Sequence, residues 1–178
     1  VVFDFLIRYL KFIDYQVSFV RNITDIDDKI IQRSAEEGIS TQELAERVTK
    51  EFLKSYSDLN CVTPNHQPKA TETIDHIIYL IEVLISKDFA YSIKSGVYFE
   101  VSKYEEYLNL SGRKYDELVS GTRVNLESDK RNSEDFALWK ISQENEPAWN
   151  SPWGLGRPGW HIECSAMINK IFNSGVDI

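Results

Sequence analysis

The residue types that could do chemistry concentrate in Gly154 to Met167, GLGRPGWHIECSAM. Glycines and a proline impose a tight, stiff approach, and a helical pattern starts at once. Trp160, His161 and Cys164 stand where that helix begins. A helix N-terminus exposes free backbone N–H groups and favours a thiolate or an anionic ligand. His161 and Cys164 are three positions apart, so both can face one way. Half of a metal site, a reactive thiol, or a buried Cys and Trp filling a helix–sheet junction all fit this spacing. Two ligands are too few for a closed structural zinc site, which takes four. The chain contains neither C-x-x-C nor H-E-x-x-H.

A second candidate is the polar run Arg21 to Lys29, which carries Asp25, Asp27 and Asp28. Clustered carboxylates suggest a Mg²⁺ site. The preferred reading is capping: Asp25 closes the start of the next helix, and Asp27 and Asp28 favour its first turn. Cys61 opens a loop marked by Pro64 and Pro68 and reads as structural or incidental. Gly112-Arg113-Lys114 and Lys130-Arg131 are local basic spots that suit phosphate contacts or solvated loops equally. Three of the four tryptophans fall between Trp149 and Trp160. Base stacking, a pocket lining and core packing are all open for them.

The elements that must hold these groups follow from periodicity. Val2, Phe5, Leu6, Tyr9, Leu10 and Ile13 predict an amphipathic or mostly buried helix over Val1 to Ile13. Val17 to Val20 reads as a short strand feeding the acidic run. Helix, strand and polar loop in that order are the grammar of an α/β sheet, whose sites form at strand ends. Ser40 with Glu43 forms a capping box, and Leu44, Val48, Phe52, Tyr56 and Leu59 continue one face. A third helix, capped by Thr71, runs to about Lys87 on the stripe Ile74, Ile77, Ile78, Ile81, Leu84 and Ile85, with His76 off that stripe and solvated. Phe89 to Val101 alternates around Lys94-Ser95-Gly96 and predicts a two-stranded hairpin. Between Lys103 and Asn132 the pattern weakens, with Tyr115 and Leu118 scattered among charges. Ser133 to Lys140 is an apolar run. Met167, Ile168, Ile171 and Phe172 form the buried side of a last helix, which Asn173-Ser174-Gly175 stops.

At 178 residues the chain suits one domain, or one with an insertion. The formal charge of −8 argues against nucleic-acid binding driven by bulk charge and leaves a local basic groove open. Two widely separated cysteines form no disulfide framework and suit a reducing, cytoplasmic setting. No apolar run spans a bilayer, and no signal peptide is visible. The chain starts inside an apolar pattern and stops at Ile178 without a closing element, as a piece of a larger protein would.

Three strings carry a family resemblance: FVRNITDIDDKI at Phe19 to Ile30, DKRNSEDFALWK at Asp129 to Lys140, and SPWGLGRPGWHIECSAM at Ser151 to Met167. Weaker matches are Lys69 to Thr71 and Lys87 to Tyr91. With these the chain resembles the cysteinyl-tRNA synthetases, class I aminoacyl-tRNA synthetases, nearly end to end. Asp14 and Asp88 stand where the family more often has glycine. Both are helix exits, where Asp tolerates a left-handed turn.

The resemblance implies an α/β class I catalytic domain, partial and Rossmann-like, interrupted by an α+β connective-polypeptide insertion. The end of the first Rossmann half would occupy residues 1–60, the insertion 61–150 and the start of the second half 151–178. It further implies Cys164 as one zinc ligand, Thr24 and Trp160 as walls of the cysteine pocket, and His161 as an active-site position that does not bind zinc. Zn²⁺, and ATP with Mg²⁺, would be the cofactor and the energy source; L-cysteine and tRNA(Cys) would be the partners of a monomer. The HIGH-type and KMSKS-type ATP motifs of the family do not occur in this stretch, so the 178 residues alone are expected to be inactive. Two alternatives share the resemblance. One is a tRNA-independent ligase joining cysteine to an amino-sugar; the other is a noncatalytic binding fragment of the same fold.

Overall fold

The computed structural model describes residues 1–112, 129–172 and 175–178. Five helices are described: α1 (Val2–Phe12), α2 (Asp28–Glu37), α3 (Thr41–Asp58), α4 (Ile74–Ser86) and α5 (Trp160–Ile171). The strands are β1 (Ala90–Ile93), β2 (Gly96–Phe99), β3 (Phe136–Ile141) and β4 (Gly156–Pro158). The chain divides into two compact units, one of residues 1–73 with 167–178 and one of residues 74–166.

In the first unit the helices form where capping and periodicity place them. Ser40 Oγ accepts from the Glu43 N–H at 3.1 Å and starts α3. The cap of α2 differs from expectation. Asp27, not Asp25, is the N-cap, and its carboxylate accepts from the N–H groups of Lys29 at 2.7 Å and Ile30 at 3.2 Å. Asp25 accepts instead from Thr71, at the start of a single 3₁₀ turn, Thr71–Thr73. Helix α1 forms as expected, but Ile7 is its buried residue. Much of the expected apolar face is open: Val2 is 81% exposed and Phe5 75%.

Val17 to Val20 is not a strand. Among the described residues, parallel pairing in this unit is confined to isolated bridges, Val20 with His66 and Ile23 with Lys69. The described sheet is therefore antiparallel and lies in the second unit, and the class is one of mixed helices with that sheet.

The sheet has four strands in the order β1-β2-β3-β4, twice the expected hairpin. Strand β3 pairs Trp139 with Val97 and, on its other edge, with Pro158. Two glycines permit the close approach. A Cβ on Gly96 would lie 2.0 Å from the Trp139 carbonyl oxygen, and one on Gly159 would lie 1.9 Å from that of Ala137. Helix α4 covers the sheet with Ile74, Ile77 and Ile81, which bury with Val97, Leu138, Trp139, Ile162 and Ala166 in one core. Burying each large apolar side chain stabilises by roughly 1.5–3 kcal/mol. His76 is half-buried beside Tyr79 rather than solvated. Asp14 and Asp88 adopt φ of 64° and 63°, the left-handed exits anticipated for them. Arg113, Lys114, Tyr115, Leu118, Asn173 and Ser174 lie outside the described residues.

Candidate functional site

The stretch expected to be a tight turn is a short strand followed directly by a helix. Gly156–Pro158 forms β4, and Trp149 exchanges two backbone hydrogen bonds with Gly156 at 2.7 and 3.0 Å. Pro158 is tolerated because it ends an edge strand. The Gly159 N–H donates to the Leu138 carbonyl at 2.8 Å, so the chain leaves the sheet and enters α5 at a fixed point. Trp160, His161 and Cys164 then occupy the first turns, all with solvent access.

The tryptophans divide by role. Trp139 is fully buried, and Trp153 packs on it with ring centroids 6.1 Å apart. Trp149 is half-buried against the same core. Trp160, in contrast, is 65% exposed. Its ring lies 5.1 Å from that of His161, and His161 meets Phe136 edge-on at 4.8 Å. Partial burial against these rings holds the imidazole below its ordinary value. Phe136 stacks on Phe99 at 5.2 Å. An aromatic row thus runs from the sheet to the start of α5. The alternation of the hairpin indicates Phe99, but nothing in the sequence pairs Phe136 with His161.

Cys164 carries an exposed thiol. Its pKa is raised, chiefly by partial desolvation and then by the neighbouring Glu163 charge. Among the described residues, no three His, Cys, Asp or Glu side chains gather closely enough to hold a metal ion. One exposed thiol fits as a single zinc donor and does not make a site by itself.

Thr24 belongs to the first unit and is half-buried; its Oγ1 accepts from Asn22 Nδ2 at 3.3 Å. Asp25, Asp27 and Asp28 do not converge on an ion site: Asp27 caps α2, Asp28 is its first residue, and Asp25 binds Thr71. Cys61 is half-buried, and its N–H donates to the Tyr56 carbonyl at 3.0 Å, a helix-exit bond. Lys130 and Arg131 both bond within the chain, although the Arg131 side chain stays 54% exposed. Lys130 Nζ donates to the Ser133 and Asp135 carbonyls, each at 3.0 Å. Arg131 pairs with Glu100 at 2.7 Å and lies over the Tyr91 ring.

In the second unit, helix α4 packs beside a four-stranded antiparallel sheet, and a Trp-His-x-x-Cys turn issues from the sheet's edge. The chain belongs to the family of class I (C) tRNA synthetase catalytic domains, whose sequence model matches residues 1–178.

Particular relatives narrow this further. Over 176 residues the chain is 50% identical to the cysteine–tRNA ligase of Desulfotalea psychrophila, covering 99% of this chain and 36% of that protein. It is also 50% identical to the cysteine–tRNA ligase of Thermodesulfovibrio yellowstonii, over 100% of this chain and 37% of that one. With the cysteine–tRNA ligase of Hydrogenovibrio crunogenus the identity is 52%, over 100% and 39%. The chain therefore spans a little over a third of the length of these relatives. No described helix is long and apolar enough to cross a membrane.

Proposed function

We propose that this chain is the central part of the catalytic region of a cysteine–tRNA ligase. The whole enzyme would activate L-cysteine with ATP, accompanied by Mg²⁺, to cysteinyl-adenylate and then transfer the cysteinyl group to tRNA(Cys). The observation that supports this most is end-to-end similarity at about half identity to proteins of that name. The presentation of Trp160 and Cys164 on one solvent-open turn agrees with it. Residues 61–150 would be the connective insertion between Rossmann halves, and the setting would be cytoplasmic.

In this reading Trp160 provides an apolar wall beside a small substrate, and His161 braces that wall from behind. Thr24 offers a hydroxyl that can donate to or accept from the amino acid. Cys164 supplies one of the donors of a zinc site completed by residues outside this chain. When bound, zinc would supply a soft Lewis acid that prefers a thiolate to a hydroxyl. Packing alone separates cysteine from serine poorly, because the two are near-isosteres.

The test uses the full-length protein. Cysteine-dependent pyrophosphate exchange should be present and should accompany bound zinc. Cys164→Ser should lower the preference for cysteine over serine to the roughly hundredfold or less that packing supplies. Unchanged discrimination would remove Cys164 from the site. Absence of exchange in the parent protein would sink the ligase reading.

A further inference from the structure

In the first unit, residues 66–71 run alongside residues 21–25. The Arg21 N–H donates to the His66 carbonyl at 3.1 Å, the Ile23 N–H to that of Pro68 at 2.9 Å, and the Ala70 N–H to that of Ile23 at 3.2 Å. Just past this ladder a carboxylate takes over. Asp25 Oδ1 accepts from the Thr71 N–H at 3.0 Å, and Asp25 Oδ2 accepts from the Thr71 hydroxyl at 2.6 Å. Thr24 is the residue between the ladder and this clasp, so its backbone is held on both sides. Hydrogen bonds to an ionised carboxylate are shorter and about twice as strong as neutral ones. Two from one residue fix the carboxylate's rotation as well as its place. The β-branched Thr71 side chain is stiff at χ1, which presents both donors together.

We propose that Asp25 and Thr71 are positioning residues that set the Thr24 hydroxyl for recognition of the amino-acid substrate. This rests on the reading of Thr24 as a wall of the cysteine pocket. Neither residue need touch the substrate; they act through the backbone on either side of Thr24. A simple staple for the fold would make the same bonds, so the experiment has to separate the two roles.

Thr71→Val keeps the shape and the backbone donor but leaves Asp25 Oδ2 without the hydroxyl. Thr71→Ser keeps both donors. Ser40→Ala, which removes the α3 cap in the same unit, controls for lost stability alone. In pyrophosphate exchange by the full-length protein, Thr71→Val should raise the KM for cysteine roughly tenfold, with the KM for ATP unchanged. Thr71→Ser should stay within about twofold of the parent, as should Ser40→Ala. Hydrogen–deuterium exchange of the peptide containing Ile23 to Asp25 should speed up in Thr71→Val and not in Thr71→Ser.

An active parent in which Thr71→Val leaves the cysteine KM unchanged, or raises the ATP KM equally, overturns the proposal and leaves the ligase reading intact. Unaltered hydrogen exchange in Thr71→Val overturns it as well. A parent without cysteine-dependent exchange overturns both the ligase reading and the substrate role of Thr24.

Discussion

Asp135 keeps a carboxylate at 2% exposure because its neighbours satisfy it. It accepts from the Tyr91 hydroxyl at 2.8 Å, the Val101 N–H at 3.0 Å and the Asn132 N–H at 3.1 Å. The Arg131 N–H in turn donates to the Tyr91 oxygen at 3.0 Å. Asp135→Ala would leave these donors buried without an acceptor and should cost about 3 kcal/mol or more in urea unfolding. Tyr91 carries a pH consequence. Burial first, with the Asp135 charge adding to it against the Arg131 N–H, pushes its phenol up to about 12. The unfolded chain ionises this group near pH 10. Above that pH the unfolded state has released a proton that the folded state retains, so stability should fall from about pH 10 towards 12 and be unaffected below. Tyr91→Phe should shallow that slope, with the raised Tyr107 and Lys103 supplying the remainder, which unfolding at stepped alkaline pH would measure. A slope identical in Tyr91→Phe would assign it elsewhere. None of this was legible in the basic look of Lys130-Arg131. Partners of Arg131 such as Tyr91, on β1, and Glu100, just past β2, lie in a hairpin that the sequence does not place beside it.

At the scale of elements, long amphipathic helices could be read and short strands could not. The isoleucine stripe of α4 and the Ser40 cap of α3 are local signals, and both have their expected place. Strand β4 is three residues with a proline and no alternation; its strand character comes from β3, which lies far off in sequence. Asp25 and Asp27 are equally good caps by type. What separates them is Thr71, brought to Asp25 by the 66–71 segment, while Asp27 is left to the α2 backbone. Asp27→Ala should therefore cost about 1 kcal/mol, the ordinary value of a lost N-cap, in a urea midpoint shift. The junction into α5 is far less forgiving. On Gly159 a methyl group would meet the Ala137 carbonyl oxygen at 1.9 Å and its carbon at 2.6 Å. Backbone cannot swing aside as a side chain can, so Gly159→Ala should part β4 from β3 and cost about 2–4 kcal/mol. A loss below about 0.5 kcal/mol, the range of a neutral surface change, would show that the strand edge yields easily.

For the molecule as a whole, the candidate site residues are legible but their completion is not. The family strings single out Thr24, Trp160, His161 and Cys164, because each sits in a long string of distinctive residue types. A thiol, an imidazole and an indole on one helix turn cannot by themselves say which other groups join them. The net charge of −8 on these 178 residues gives them no bulk attraction for a polyanion. Helix α1 turns Val2, Phe5 and Phe12 to solvent, with Phe12 83% exposed. Large apolar side chains left open in this way call for a covering surface. The chain matches only 36–40% of the length of its ligase relatives, so they have ample further sequence. Adenylate formation needs a nucleotide clamp, and neither a HIGH-type nor a KMSKS-type string occurs in these residues. Selective metal binding needs several donors, and one thiol holds zinc weakly. The isolated 178-residue chain should accordingly give cysteine-dependent pyrophosphate exchange at background and lose zinc on gel filtration, whereas the full-length protein should do neither. Exchange well above background from the isolated chain would mean that a nucleotide site exists among residues to which no such role has been given.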